Sequence, residues 1–486
     1  MGLPFVFLSE EKIGAQTMQK TNIVEVRTTS EIKNTLETMS SLTVHIAPDK
    51  VHESLAKHLL VDGFDLVVDL NKSQGNFIYD ARTGKRFLDF FTFFASGPVG
   101  LNHPKMMTPD LRERMLGAAI NKPSSSDAYT VEMAEFVETF GQVAIPEYLP
   151  HLFLIEGGSA AIENALKVAF DWKVRKNFLK GYTTERGHLV MHFRHGFHGR
   201  NGYALSLTNT DPNKTMYFPK FKDWPRIDAP FLNFPLNEEN LKKAKDAEDA
   251  SIKQMKEAFM NYPDQIAAII IEPIQGEGGD NYFSESFHKT LRMLADEHDA
   301  LLIYDEVQTG VGLTGKMWAH EHYVKPDIMT FGKKMQVCGL LASRRVDEVH
   351  DNVFFKSSRI NSTWGGNLVD MIRAQRYLEI IRDENLVENA RVQGDYLLSK
   401  ITELVDEFPN ILSNPRGKGL MCAFTVEEAQ MRDLLKQKCY DEGVIIIGCG
   451  DRSIRFRPAL NISKEEINMG LNVMRDQVKE LAVREF

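Results

Sequence analysis

Residues 301–334 read LLIYDEVQTGVGLTGKMWAHEHYVKPDIMTFGKK. Asp305 closes one short apolar run of this stretch, and Lys333 lies just beyond a second one. A lysine amine can form a Schiff base with an aldehyde, and a carboxylate can pair with a protonated pyridine nitrogen, so these two residues can hold both ends of a pyridoxal phosphate ring. Each residue alone is common after a strand, but the pair predicts this cofactor.

Short apolar runs separated by helix-like stretches predict an α/β fold. Alternation of this kind is typical of a large, mostly parallel sheet with both faces covered. Polar residues follow four of the runs, among them His198 after HLVMHF and Glu272 after QIAAIII, at the edge where open sheets bind ligands. The runs are HLFLI at 151–155, HLVMHF at 188–193, QIAAIII at 265–271, ALLIY at 300–304 and DIMTF at 327–331.

The pattern of apolar residues changes after STWGGN at 362–367. A long stretch with helical spacing follows, and it leads into a predicted smaller α+β domain. We therefore predict four segments. They are an N-terminal extension or arm (1–44), the N-terminal part of the small domain (45–95), the large cofactor-binding domain (96–367) and the C-terminal small domain (368–486).

Composition excludes several classes of protein. The chain has 486 residues, 43% of them hydrophobic and 26% charged, and its net charge of −9 argues against a nucleic-acid partner. No apolar run approaches the roughly 18 residues of a membrane span, and MGLPFVFL lacks the features of a signal peptide. The four cysteines show no CxxC pairing, so we expect neither a disulfide framework nor a metal site, and a reducing cytoplasm.

The stretch around DEVQTG resembles the signature of the class III, or ω-amino acid, aminotransferases of fold type I. The resemblance runs from about residue 45 to the C-terminus. Within that family the chain is most similar to the L-lysine 6-aminotransferases, through motifs that include AFDWK, FPKF, EPIQGEGGDN, FGKKMQVCG, STWGGN and RGKGLMCA. This implies transfer of the ε-amino group of L-lysine to 2-oxoglutarate in a ping-pong reaction, giving L-2-aminoadipate 6-semialdehyde and L-glutamate. Ornithine and 4-aminobutyrate remain open as alternative donors.

The resemblance also implies which residues hold the cofactor. Lys333 matches the reactive lysine and Asp305 the partner of the ring nitrogen, while Lys334 is the alternative nucleophile or else a solvated or phosphate-near neighbour. Gly158 and Ser159 open a helix whose positive end suits a phosphate, although capping is the commoner role of such a serine.

Three further residues match cofactor-binding positions of the family. Phe197 matches the residue whose ring stacks on the pyridine, and Gln308 should donate to the phenolic oxygen. Thr363 matches a position that reaches the phosphate of the other subunit, which implies a homodimer with a shared active site.

The substrates carry carboxylates, which arginine grips bidentately. Arg200 and Arg457 are the predicted carboxylate ligands, whereas Arg455 is expected to point to the other face of its strand. Glu277 matches the family glutamate that pairs with Arg457 in the lysine half-reaction and swings away in the second; the alternative is an ordinary loop carboxylate.

Other functions fit the sequence less well. An aminomutase, racemase or decarboxylase on the same fold would not need two alternating carboxylate sites. A catalytically silent relative would have lost Lys333 or Asp305, and both are present. A nicotinamide-dependent dehydrogenase would need a GxGxxG motif after an early strand, and the chain has none.

Overall fold

The computed structural model describes residues 44–483. The described residues divide into two compact units, 44–65 and 66–483. In the first unit, the described residues form a 3₁₀ turn at Pro48–Lys50 and a short helix, α1, at Val51–Leu55. The predicted N-terminal extension, residues 1–44, lies outside the described residues except for Val44.

Within residues 66–483, the second unit contains three sheets, ten right-handed α-helices and a left-handed helical turn at Thr92–Ala95. Its helices are α2 (Pro109–Ile120), α3 (Val131–Val143), α4 (Gly158–Leu179), α5 (Gly202–Leu207), α6 (Glu238–Asn261), α7 (Glu285–Glu297), α8 (Leu368–Asp383), α9 (Leu386–Glu407), α10 (Ala429–Asp441) and α11 (Lys464–Ala482). Its strands are β1 (Phe77–Tyr79), β2 (Arg86–Asp89), β3 (His151–Ile155), β4 (Leu189–Phe193), β5 (Arg226–Ile227), β6 (Ile266–Ile271), β7 (Leu301–Asp305), β8 (Ile328–Phe331), β9 (Cys338–Ala342), β10 (Leu412–Lys418), β11 (Met421–Val426), β12 (Val444–Ile445), β13 (Ile447–Cys449) and β14 (Ser453–Phe456).

The central sheet has seven strands in the order β3-β9-β8-β7-β6-β4-β5. Strand β9 is antiparallel to both of its neighbours, and the other described pairings are parallel. Every residue of β6, β7 and β8 is buried, as expected for strands covered on both faces. The predicted α/β class with a largely parallel sheet is confirmed, and sequence reasoning missed two strands of this sheet, β9 and the two-residue edge strand β5.

Helices cover both faces of this sheet. On one face, α4 packs through Ile162 and Leu166 against Val190 and Ile303. On the other face, α7 packs through Leu291 and its neighbours against the opposite side of β6 and β7. Burying one Leu or Ile side chain contributes about 1.5–3 kcal/mol, so the two layers hold the carboxyl ends of the strands at one rigid edge.

Two smaller sheets are built mainly from the C-terminal part of the chain. One is antiparallel, in the order β10-β11-β14-β13, and the other has the order β1-β2-β12. Strand β2 pairs in parallel with β12, with Leu88 opposite Val444, so the chain before residue 95 joins the C-terminal region. The predicted domain limits at residues 95 and 367 stay predictions.

Within residues 44–483, no helix is long and apolar enough to cross a membrane. Cys338, Cys422, Cys439 and Cys449 are free thiols.

Candidate active site

A cavity of about 470 Å³ lies at the carboxyl ends of the central strands. Ser96, His198, Glu272 and Cys338 line part of its wall. Eight of the ten predicted site residues also line it, namely Gly158, Ser159, Phe197, Arg200, Glu277, Asp305, Gln308 and Lys333.

Lys333 enters the cavity from the turn that follows β8. It begins a 3₁₀ turn, Lys333–Met335, with a φ of 46°, which is a strained conformation for a residue other than glycine. Burial and the nearby Arg455 lower the pKa of Lys333 from 10.5 to about 8, although Glu277 and Asp305 oppose the shift. Lys333 therefore has a strained backbone and carries an amine that is easily made neutral and nucleophilic.

Lys334 points away from the cavity. Its side chain is buried, and Nζ donates to the carbonyl oxygens of Ala95, at 3.2 Å, and Gly97, at 3.3 Å. The expectation of a solvated or phosphate-near lysine is therefore wrong, because Lys334 instead holds the left-handed turn at Thr92–Ala95. Burial lowers the pKa of Lys334 to about 7.

Asp305 is held by a buried network at the end of β7. Its Oδ2 lies 2.8 Å from Nδ1 of His198, and its Oδ1 accepts from the backbone N–H of Val307, at 3.1 Å, and from Oγ1 of Thr330, at 3.3 Å. Sequence reasoning placed His198 in the polar cluster after β4 but did not assign it this role. Since the carboxylate cannot rotate without breaking these bonds, it can present one edge to a fixed partner.

Glu272, at the end of β6, ties two parts of the cavity wall together. Its Oε1 accepts from the N–H of Phe197 at 2.9 Å, and its Oε2 accepts from the N–H of Gly276 at 3.0 Å. Burial raises the pKa of Glu272 to about 7. Sequence reasoning placed Glu272 in the polar cluster after its strand but did not assign it this positioning role, because Phe197 is 75 residues away along the chain.

The amino end of α4 offers a site for an anion. Ser159 follows the first residue of this helix, and its Oγ accepts from the N–H of Arg200, at 3.2 Å, and of Asn201, at 3.1 Å. A Cβ on Gly199 would come within 2.2 Å of Ser159 Oγ, so only glycine allows this approach. With its lone pairs occupied, the Ser159 hydroxyl can donate its proton to a phosphate.

Arg455, in β14, and Arg457, directly after this strand, point to the same side. Arg455 Nη1 and Arg457 Nη2 both donate to Oε1 of Gln308, at 3.3 and 3.0 Å. The expectation that Arg455 points to the other face is wrong, because side chains alternate along a strand and residues two apart share a face.

The carboxylate partners of these arginines also differ from the prediction. Oε2 of Glu277 pairs with Nη2 of Arg455 at 2.7 Å, whereas Arg457 Nη1 lies 2.9 Å from Oδ2 of Asp280. The predicted pair of Glu277 and Arg457 is therefore wrong. Arg457 is fully buried behind a carboxylate that is itself fully buried, so Arg455 is the arginine that Glu277 can uncover.

The side-chain amide of Gln308 is oriented by these two arginines. Because both guanidinium groups donate to Oε1, the NH₂ group is left as the donor on the cavity side. This orientation fits the predicted donation to a phenolic oxygen, which stays a prediction. Thr363 is absent from the described residues that line the cavity of its own chain.

The donor set fits pyridoxal phosphate. A strained lysine amine, a fixed carboxylate, an aromatic ring and a helix amino terminus surround one space of suitable size.

Comparison with known proteins decides the family. Residues 61–478 match the family described as Aminotransferase class-III. The chain belongs to the class III aminotransferases. An L-lysine-epsilon aminotransferase from Mycobacterium tuberculosis (strain ATCC 25618 / H37Rv) is 51% identical over 430 residues, covering 88% of this chain and 95% of the relative. An L-lysine-epsilon aminotransferase from Amycolatopsis lactamdurans is 46% identical over 441 residues, covering 90% and 97%.

A solved structure of a lysine aminotransferase agrees closely in fold. Lysine aminotransferase from M. tuberculosis in the internal aldimine form has a TM-score of 0.88 and 50% identity, covering 90% of this chain and all of that one. This class III aminotransferase therefore has the predicted type I fold and uses pyridoxal phosphate. Both predictions are confirmed.

Labelling should identify the reactive lysine. We expect borohydride to attach pyridoxal phosphate irreversibly to a peptide containing Lys333, as read by mass spectrometry. Lys333→Ala should lose the label and turnover. Lys334→Met is the matched control: it should keep the label on Lys333 but lower the free energy of unfolding by about 1–3 kcal/mol, because buried carbonyl groups lose their donor. A label on Lys334 would contradict the assignment.

Cofactor capture by the cofactor-free protein should depend on pH. Only the neutral amine is nucleophilic, so we expect the rate to rise as the pH increases through about 8, followed by stopped-flow absorbance. The free energy of unfolding should also increase with pH between about 8 and 10.5, since the unfolded lysine still holds its proton there. Glu277→Gln removes a carboxylate that raises this pKa, so the midpoint should move lower; a wild-type midpoint near 10.5 would refute the shift.

Proposed function

We propose that the protein transfers the ε-amino group of L-lysine to 2-oxoglutarate, giving L-2-aminoadipate 6-semialdehyde and L-glutamate in two half-reactions. The lysine aminotransferases to which the chain is similar support this assignment. The observation that carries it is the ion pair between Glu277 and Arg455 beside Lys333.

This ion pair suits two substrates of different charge. The far end of lysine brings an amine and no carboxylate to the reacting carbon, whereas 2-oxoglutarate brings a carboxylate directly beside it. An unpaired buried arginine facing the first substrate would be costly. Glu277 neutralises Arg455 for lysine, and Arg455 binds the acceptor's carboxylate once Glu277 has moved.

Each remaining residue has a defined part in the reaction. The bound cofactor supplies an electron-poor ring. The amine of Lys333 would take a proton from the ε-carbon of lysine and deliver it to the bound cofactor in the first half-reaction, and would carry a proton from the cofactor to the 2-carbon of the acceptor in the second. Asp305 would hold a proton on the ring nitrogen of the bound cofactor, and Arg200, at the exposed side of the cavity, would bind the carboxylate remote from the reacting carbon.

A panel of amino donors tests the proposal. With 2-oxoglutarate as acceptor, we expect kcat/KM for lysine to exceed that for ornithine or 4-aminobutyrate by about tenfold or more, since each such factor needs only about 1.4 kcal/mol. Trapping of the cyclised semialdehyde and measurement of glutamate would identify both products. Preference for ornithine or 4-aminobutyrate would support the alternative, another ω-aminotransferase.

We also propose a homodimer in which Thr363 completes the phosphate site of the partner subunit. Support comes from the location of Thr363 outside the cavity of its own chain, in a segment that is held by hydrogen bonds to residues 124–126.

The free thiols fit a reducing compartment such as the cytoplasm.

Subunit complementation tests the shared site. Lys333→Ala should be inactive, and Thr363→Ala should bind the cofactor weakly. If both are refolded together, we expect activity to reappear, because one site of the mixed dimer combines an intact Lys333 with an intact Thr363 from the other chain. Turnover of the mixture no higher than the sum of the separate variants would argue that each chain builds its site alone.

A further inference from the structure

Glu277 forms a wall between two cavities. One side of this residue lines the active-site cavity, and the other lines a second, polar cavity of about 510 Å³. The second cavity is bordered by Lys214, Arg432, Lys436 and Asp451. If the Glu277 carboxylate leaves Arg455, the second cavity has space to receive it.

The two carboxylate oxygens of Glu277 have different partners. Oε2 lies 2.7 Å from Arg455 Nη2, while Oε1 pairs with Nζ of Lys214. Arg455 is almost fully buried, with 1% of its side chain exposed, whereas Glu277 and Lys214 retain 25% and 21% exposure. Although burial raises it, the two cations hold the pKa of Glu277 below its ordinary value, so the group stays charged.

The backbone around Glu277 has little freedom to move. A Cβ on Gly276 would come within 2.2 Å of Gln308 Oε1, and one on Gly278 within 2.0 Å of the carbonyl oxygen of His195. The carbonyl oxygen of Glu277 accepts from the N–H of Gly450 at 2.8 Å. Movement between the cavities therefore falls to the side chain of Glu277.

The other cations of the second cavity are engaged elsewhere. Arg432 Nη1 donates to the carbonyl oxygens of Gly450, at 2.9 Å, and Asp451, at 2.7 Å, and Lys436 lies 3.4 Å from Asp433. Lys214 ends a short 3₁₀ turn, Pro212–Lys214, whose backbone is capped by Asp211. Lys214 is thus both fixed and directed at Glu277.

We propose that Lys214 determines acceptor specificity by retaining Glu277 when Arg455 is released to a substrate carboxylate. When Glu277 leaves Arg455, it keeps its ion pair with Lys214 and does not become an unpaired charge. The free-energy cost of freeing Arg455 for a substrate carboxylate is therefore lower. The inference deepens the proposed function, since it concerns how the same site admits a dicarboxylate acceptor. Lys214 acts through Glu277 and is a positioning residue.

Three variants of the holoenzyme test this role. Lys214→Met removes the charge and keeps the stem, Lys214→Arg restores the charge, and Lys436→Met is the matched control in the same cavity. Isothermal titration calorimetry would measure the Kd of glutarate, an unreactive dicarboxylate, and single-turnover absorbance would follow the lysine and 2-oxoglutarate half-reactions separately.

We expect Lys214→Met to raise the Kd of glutarate and the apparent Kd of 2-oxoglutarate by about tenfold, a typical coupling for a contacting charge pair. The lysine half-reaction should change less than twofold, because Glu277 stays on Arg455 there. Lys214→Arg should restore most of the affinity, and Lys436→Met should match the wild type. In a Glu277→Gln background, Lys214→Met should have no selective effect.

Several results would overturn the role of Lys214. They are an unchanged Kd of glutarate, equal slowing of both half-reactions, a loss of the same size in the Glu277→Gln background, or a wild-type protein that does not bind glutarate. Failure of the proposed function is a separate result: a wild type that does not use lysine, yet binds glutarate in a manner that depends on Lys214, would refute the lysine donor and retain the role of Lys214.

Discussion

The site depends on one constraint, the burial of two guanidinium groups side by side at the carboxyl end of β14. A buried charge without a partner costs several kcal/mol, so Arg455 and Arg457 each need a carboxylate. The turn after β6 supplies both, but in different surroundings. Asp280 is fully buried and faces Arg457 through two oxygens, which makes this pair permanent. Glu277 is partly exposed and is shared with Lys214, so it is the carboxylate that can leave.

The same charged groups also shift the pKa of the reactive lysine. Arg455 and Arg457 lower the pKa of Lys333, while Glu277 and Asp305 raise it. Recognition of the acceptor and the protonation of Lys333 are therefore linked, because any movement of Glu277 changes the field at this amine. A substrate carboxylate that replaces Glu277 on Arg455 would again place a negative charge near Lys333 and would raise the pKa of its amine back toward the earlier value.

Strained backbone surrounds the reactive lysine and is supported by buried polar groups. Residues Thr92–Ala95 all have positive φ, a conformation that costs roughly 1–2 kcal/mol per residue. Asp89 accepts from the N–H groups of Phe91 and Thr92, and Lys334 donates to carbonyl oxygens at the other end of the turn. The turn leads directly to Ser96 in the cavity wall, so Lys334 serves the site by shaping it.

The sequence by itself determined the layered fold and predicted Asp305 and Lys333 as the two ends of the cofactor site, because apolar runs and the polar residues that follow them are local features of the chain. Asp305 was predicted from its place at the end of β7 and Lys333 from its place just after β8. The partners of Glu277 and Lys334, and the network of His198 and Glu272, were decided only by the tertiary structure. Each of these contacts joins residues far apart in the chain, and burial and distance, which select the partner of a charge, have no local signature in the sequence.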